Sequence, residues 1–239
     1  MTLPPCVRLL GLLLGLLSCV HGTAQFVVER SPWLDGEAVT EEPVHQTWAV
    51  ADQSTAQLIQ AELTVEGLNP RKPVRLRIDD DTTLKLAPYR RYSRLCVEPD
   101  FMLYADYIYA DPEIQADTLL LEPLAIGLET ALPAIEFMPG TEDLYFTSVP
   151  ALEALRAFIK VNPTVSLAII GHEWEGTTEQ HRTSRNRARA VFEYLVSSGV
   201  NANRLSVEGR GSAQRLYPQP TTPEEAETNR RISIRVTNY

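Results

Sequence analysis

The sequence predicts an α+β chain. A small all-β sandwich precedes a C-terminal α/β sandwich of β-α-β-α-β order with an extra short helix and strand. Three observations predict this. A short apolar leader at the N-terminus marks an exported chain. From about residue 55 to 123 apolar residues recur with period two. From Gly127 that period gives way to strands alternating with helical stretches, an order that packs helices on one sheet.

The chain has 239 residues, room for one or two domains of about 100–150 residues each. Its 44% apolar and 22% charged residues are near the norm for globular domains, so a real core can form. The formal charge is −9, and residues 130–239 hold 12 basic and 12 acidic residues, so the whole excess lies in the first 129. An acidic first half repels phosphate backbones, which excludes nucleic acid from the expected partners.

In the leader, Arg8 precedes the 12-residue apolar run Leu9–Val20. That run is short of the roughly 20 residues a membrane-spanning helix needs. Gly22-Thr23-Ala24 supplies small residues before Gln25, so residues 1–24 are expected to be a signal peptide. A rival site exists: Leu16-Leu17-Ser18-Cys19 resembles a lipoprotein box, in which Cys19 would be lipidated. One product is released and the other is tethered to a membrane. Cleavage after Ala24 leaves Cys96 as the single cysteine, which cannot form an internal disulfide. Its strand-like setting (RLCVEP) predicts a buried, inert thiol.

Residues 25–54 show no sustained period and read as a linker or irregular lead-in. Residues 55–126 read as the small antiparallel β-sandwich. Ile59, Ala61, Leu63 and Val65 alternate with polar residues, as do Val74, Leu76 and Ile78, and Leu84 and Leu86. Asn69-Pro70 and Asp79-Asp80-Asp81 supply turns. The acidic triplet lacks the glycine and distal glutamate of a calcium loop and reads as a solvated turn.

Residues 127–239 form the second domain. Ala134–Phe137 reads as a strand, and Ser148 with Pro150 opens a helix that Asn162-Pro163 stops. Ser166–Ile170 is a strand, a second helix spans about 178–198, and Gly199 fits a left-handed cap. Arg204–Glu208 is a strand, followed by a short Glu-rich helix near 223–228 and a last strand, Arg231–Val236.

Gly171-His172, Arg187-Ala188 inside a helix, and Asn229-Arg230-Arg231 before the last strand resemble the OmpA/Pal/MotB C-terminal domain family. The segments ALEALRAFIKVNP (151–163) and VFEYLVSSGVNANR (191–204) are similar to the family's first helix and to its second helix end with the loop after it. The resemblance covers about residues 127–239. It implies non-covalent binding of the peptide stem of peptidoglycan. In the family, an Asp in a GHTD-like loop takes the ligand's amino group and a helical Arg takes its carboxylate. An Arg suits that role because its planar fork matches a carboxylate bidentately.

The residues of the helix support this independently. With Arg182 at zero and about 100° per residue, Arg185 and Arg189 lie within about 60° of it, a solvent-side stripe. Ala188, Val191, Phe192 and Leu195 cluster at about 180–280°, the core face. Arg187 falls near 140°, on the shoulder of that face, where a cation is partly desolvated and held in place. Two roles stay open for it: ligand binding, or a structural ion pair with a nearby Glu. The resemblance also places Arg230 and Asn229 near the ligand, sets Gln180 where an Asn often faces the site, and implies that His172 braces the loop.

One departure stands out. The chain reads Gly171-His172-Glu173-Trp174 where the family reads Gly-His-Thr-Asp, so Trp174 replaces the ligand-binding Asp. Either Glu173 or Glu175 supplies the carboxylate with a longer reach, or the anion half of the site survives without the cation half. Trp174 packs as a loop anchor or stacks on the ligand's alkyl stem.

The expected function is therefore a wall anchor: a non-enzymatic protein of the periplasm or cell outer membrane. It would tie an envelope component to peptidoglycan through Arg187, Arg230, Glu173, Glu175, Trp174, Gln180, His172 and Asn229. The alternative is an envelope structural or assembly protein that keeps the scaffold and has lost the ligand. Expected partners are peptidoglycan and outer-membrane or envelope proteins, with a homodimer left open. No cofactor is expected. The histidines lack metal-ligand spacing, and no nucleophile elbow, phosphate loop or framed carboxylate pair is present. The N-terminal part is too short for an eight-stranded membrane barrel.

Overall fold

A computed structural model of the chain describes residues 42–68, 72–79, 82–138 and 140–239. The expected leader at 1–24, with Cys19 and both cleavage sites, lies outside them, as do most of the 25–54 lead-in, the Asn69-Pro70 turn and two acids of the 79–81 turn. The described residues belong to one structural unit, 42–239.

Seven strands build the sandwich: β1 (Val44–Asp52), β2 (Ala61–Glu66), β3 (Val74–Ile78), β4 (Thr82–Leu86), β5 (Arg91–Cys96), β6 (Tyr104–Tyr109) and β7 (Ala116–Leu121). One sheet has the order β4-β1-β7 and the other β3-β2-β5-β6. Period-two alternation turns Leu63, Val65, Ile78, Leu86, Leu119 and Leu121 into the shared core, beside a fully buried Trp48. Cys96 is buried in the same core, and burial pushes its thiol up to about 12, so it stays protonated.

Two expectations change here. The lead-in expected to be irregular to residue 54 already contains β1, whose Val44, Trp48 and Val50 point inward. Gln46 hid that alternation. It is a polar residue at an inward position, tolerated because its Oε1 accepts from the Trp48 indole N–H at 3.1 Å and its amide donates to the Asp111 carbonyl. The sandwich is also mixed rather than antiparallel. The chain crosses between the sheets repeatedly, so β7 returns parallel to β1 while β4 lies antiparallel on β1's other side.

A buried cation ties the sheets together. Arg94 of β5, 3% exposed, forms a bidentate pair with Asp106 of β6 (2.9 and 2.5 Å) and reaches Asp117 of β7 at 2.5 Å. Its guanidinium also stacks 5.1 Å from the Trp48 ring.

The C-terminal half contains β8 (Glu129–Ala131), α1 (Val149–Val161), β9 (Ser166–His172), α2 (Thr178–Ser197), β10 (Leu205–Gly211), α3 (Pro223–Asn229) and β11 (Ile232–Asn238). Its sheet runs β10-β9-β11-β8, with β9 and β10 parallel and the other pairs antiparallel. The α/β sandwich expected here is thus present, with boundaries shifted by a few residues. Gly199 takes φ +92°, and Val200 N–H donates to the Leu195 carbonyl, the left-handed helix end expected of this position. The strand expected at 134–137 lies earlier, as β8. Pro133 has no N–H, Ile135 N–H turns back to the Leu132 carbonyl, and Phe137 keeps only a single bridge to Leu144. Ser148 and Pro150 open α1 as expected, with Ser148 at the N-cap position, while the Ser148 hydroxyl clamps the preceding segment: it donates to the Glu136 carbonyl and accepts from the Glu136 N–H, both at 2.8 Å.

The two halves share a core. Leu95, Met102, Leu103 and Leu124 of the β-rich half pack in one cluster with α1, α2 and the inner face of the second sheet. At this junction Asn162, which ends α1, accepts from Asp100 N–H at 3.0 Å and donates to the Phe158 carbonyl.

Helix α2 rests on bare backbone. A Cβ placed on Gly171 would lie 1.8 Å from the Ser184 carbonyl oxygen, and one on Gly209 would lie 2.5 Å from the Arg185 Cβ. Neither contact can exist, so both positions require glycine for α2 to sit where it does. Gly171→Ala is expected to lower the unfolding free energy by about 3 kcal/mol or more in a chemical denaturation series, because backbone on both sides must move. A loss below about 1 kcal/mol would show that the helix can lift off without cost.

Candidate functional site

The site forms where β9 ends. The Glu173 N–H donates to the Gly211 carbonyl at 2.8 Å, which fixes the backbone beside the last residue of β9. The Glu173 side chain turns inward and is 3% exposed. Its Oε1 accepts from Arg187 Nη1 of α2 at 2.6 Å, and its Oε2 lies 3.5 Å from Arg230 Nε, just past α3. Two guanidiniums from two helix regions thus converge on one carboxylate.

Each guanidinium is anchored on its far side. Arg187 donates through Nε and Nη2 to the Thr141 carbonyl at 3.3 Å and stacks 5.1 Å from the Phe137 ring. Arg230 pairs through Nη1 with Glu227, three residues earlier on α3. Burial pushes the Glu173 carboxyl above its ordinary value, and Arg187 and Arg230 pull it back. Removing either partner of such a buried pair typically costs about 3–5 kcal/mol, because the other charge is left uncompensated.

The expected site residues divide. Arg187, Arg230 and Glu173 come together; the shoulder position read for Arg187 is real, at 14% side-chain exposure. Of the two roles open for Arg187, the structure displays the ion pair with a Glu. Glu175 and Gln180 face each other instead of the clamp: the Gln180 amide donates to Glu175 Oε2 at 2.6 Å, and its Oε1 accepts from Glu175 N–H at 2.8 Å. Asn229 is fully buried and holds a loop, accepting from the N–H groups of Leu216 and Tyr217 and donating to the Tyr217 carbonyl. Trp174 keeps its indole N–H out of solvent with no hydrogen-bond partner, while its carbonyl accepts from Arg215 at 2.7 Å. The sequence reading missed Glu227, whose i,i+3 spacing to Arg230 was visible, and Thr141 and Phe137, which carry no sequence signal. Among the described residues, no group of three or more His, Cys, Asp or Glu is placed to hold a metal ion.

His172 faces the other side of the sheet. Its Nε2 lies 2.9 Å from Ser233 Oγ, and that hydroxyl donates to Glu129 Oε1 at 2.6 Å. The hydroxyl therefore accepts from Nε2–H, and Nδ1 is left bare, buried and without a partner. Around them Arg210 and Arg235 share Glu208 and Glu129. Burial, with help from Arg231 and Arg210 nearby, lowers the His172 pKa from 6.5 to about 4, against the pull of Glu129. A histidine held neutral by the fold contributes stability that is complete above pH 6.5 and is lost as pH falls toward 4, where the unfolded chain takes up the proton first. Across that window the chain is expected to lose about 3 kcal/mol through this group. In denaturation series of wild type and His172→Gln recorded along the window, the stability difference should shift by about 3 kcal/mol in the variant's favour as pH falls from 6.5 toward 4. Parallel pH dependences would show that His172 is not the group responsible.

Residues 136–230 match the OmpA family model, a segment that contains every residue of the clamp. A comparison with curated proteins finds no relative. Solved structures resemble the chain at low identity. The periplasmic domain of Helicobacter pylori MotB is 21% identical over 49% of this chain and 80% of that one, with a TM-score of 0.43. The cell wall anchor of the type VI secretion system from Pseudomonas aeruginosa is 20% identical over 43% and 75%, with a TM-score of 0.38. The OmpA-like domain of FopA1 from Francisella tularensis is 16% identical over 48% and 86%, with a TM-score of 0.35. The resemblance read from Gly171-His172, Arg187-Ala188 and Asn229-Arg230-Arg231 therefore falls within the segment, residues 136–230, that matches the OmpA family model.

Proposed function

We propose that the chain is an exported, non-catalytic envelope protein that anchors to peptidoglycan through residues 127–239 by recognising its peptide stem. The observation that carries this reading is the clamp: Arg187 and Arg230 converge on one carboxylate beside the end of β9. Guanidiniums braced on their far sides by Thr141, Phe137 and Glu227 lose little freedom when they take a carboxylate, which favours recognition. In this reading residues 1–24 are a removed leader, Cys19 marks the alternative lipidated form, and residues 55–126 are a spacer or partner-binding sandwich. The partners would be the wall and an outer-membrane or periplasmic assembly. No helix among the described residues is long and apolar enough to cross a membrane by itself.

A second reading is favoured by one feature, Trp174 in place of the ligand-binding Asp. The domain would then be a scaffold that has lost its ligand and serves assembly.

Co-sedimentation of the full chain with purified sacculi separates them. Under the anchor reading wild type pellets. Arg187→Lys, which keeps the charge and loses the fork, should bind about tenfold more weakly or worse, with thermal unfolding as the check on its fold. If wild type stays in the supernatant while Trp174→Asp pellets, the scaffold reading replaces the anchor.

A further inference from the structure

The clamp is already full. Both oxygens of Glu173 face the two guanidiniums, one at 2.6 Å and one at 3.5 Å, as the oxygens of an incoming carboxylate would. The remaining polar contacts of Arg187 go to the Thr141 carbonyl, and Arg230 is paired a second time, with Glu227. Two cations are therefore balanced by two carboxylates. A ligand carboxylate added to this arrangement would bring an uncompensated negative charge into a buried site, which is strongly unfavourable.

The alternative is exchange. The Glu173 backbone is fixed through Gly211, and its side chain, attached by rotatable bonds, starts at the first residue of the loop 173–177, which lies outside both β9 and α2. The seat is also not free of cost to Glu173, because burial disfavours its ionised form.

We propose that Glu173 is a built-in competitor, whose carboxylate occupies the seat that Arg187 and Arg230 offer to the carboxylate of an amino-acid or peptide ligand, so that such a ligand binds only by displacing it. This rests on the wall-anchor reading for the identity of the ligand, but not for the existence of the seat. It assigns Glu173 the role of a specificity-determining residue. It also opposes the reading in which Glu173 reaches outward to take a ligand's amino group.

The test uses the full chain with Glu173→Ala, Glu173→Gln and the double variant Glu173→Ala/Arg187→Gln. Melting temperatures are read in sodium acetate and in meso-diaminopimelate against sodium chloride of equal ionic strength, and each chain is co-sedimented with sacculi. Acetate and diaminopimelate are expected to raise the melting temperature of Glu173→Ala by about 3 °C or more, with no such response in wild type or the double variant. Glu173→Gln, which keeps the shape and loses the charge, should bind diaminopimelate about tenfold more tightly than wild type. It serves as the deciding variant if Glu173→Ala does not fold. The proposal is overturned if added carboxylates stabilise Glu173→Ala no more than wild type, or, where that variant cannot be melted, if Glu173→Gln binds no better than wild type. Rescue by acetate with no chain pelleting would keep the competitor and remove the wall as its ligand. Wild type pelleting without any rescue would keep the wall anchor and remove the competitor.

Discussion

The close approach of α2 to the sheet governs the rest of the C-terminal half. Without side chains at Gly171 and Gly209, the helix backbone at Ser184 and Arg185 sits directly on β9 and β10. Ser184, buried at that contact, donates to the His181 carbonyl and accepts from the Gly211 N–H, which locks helix and strand in register. Arg187 lies one turn further along. From this low seat it reaches Glu173, beside the end of β9, at 2.6 Å.

Charge is handled in two ways in this molecule. In the sandwich, Arg94 has a bidentate partner, a second carboxylate and an aromatic face, so the buried cation is satisfied from several sides and joins both sheets. At the clamp the geometry is looser on one side, with Arg230 at 3.5 Å and a third of its side chain exposed. A buried pair is rarely more stable than a well-packed apolar substitute, so such pairs are weak arguments for stability. The contrast suits a cluster that holds the fold in the first case and a seat that can exchange its occupant in the second.

Much of this was legible in the sequence because it follows from period and backbone chemistry. The helical repeat put Ala188, Val191 and Leu195 in the core, Arg187 on its shoulder and Gly199 at the helix end, and the structure agrees. Misreadings arose where a polar residue points inward. Gln46 concealed β1 because its partner, Trp48, lies two residues away on the same face, and a period count scores such a residue as exposed. Ala134–Phe137 carried a strand-like pattern, but Pro133 and the Ser148 clamp are tertiary constraints that no local window contains. At the clamp the sequence supplied the members and the open alternatives; the direction of the Glu173 side chain depends on two arginines 14 and 57 residues away and could not be read locally.

The shared core between the halves limits how the chain can be divided. The segment 136–230 that matches the family model is not a self-contained packing unit, because its apolar cluster also includes Leu95, Met102, Leu103 and Leu124, which lie before it. Recombination that cut near residue 127 would leave an oily scar on both pieces. A substitution at this seam therefore presses on both halves at once, since each supplies part of the surface against which the other packs.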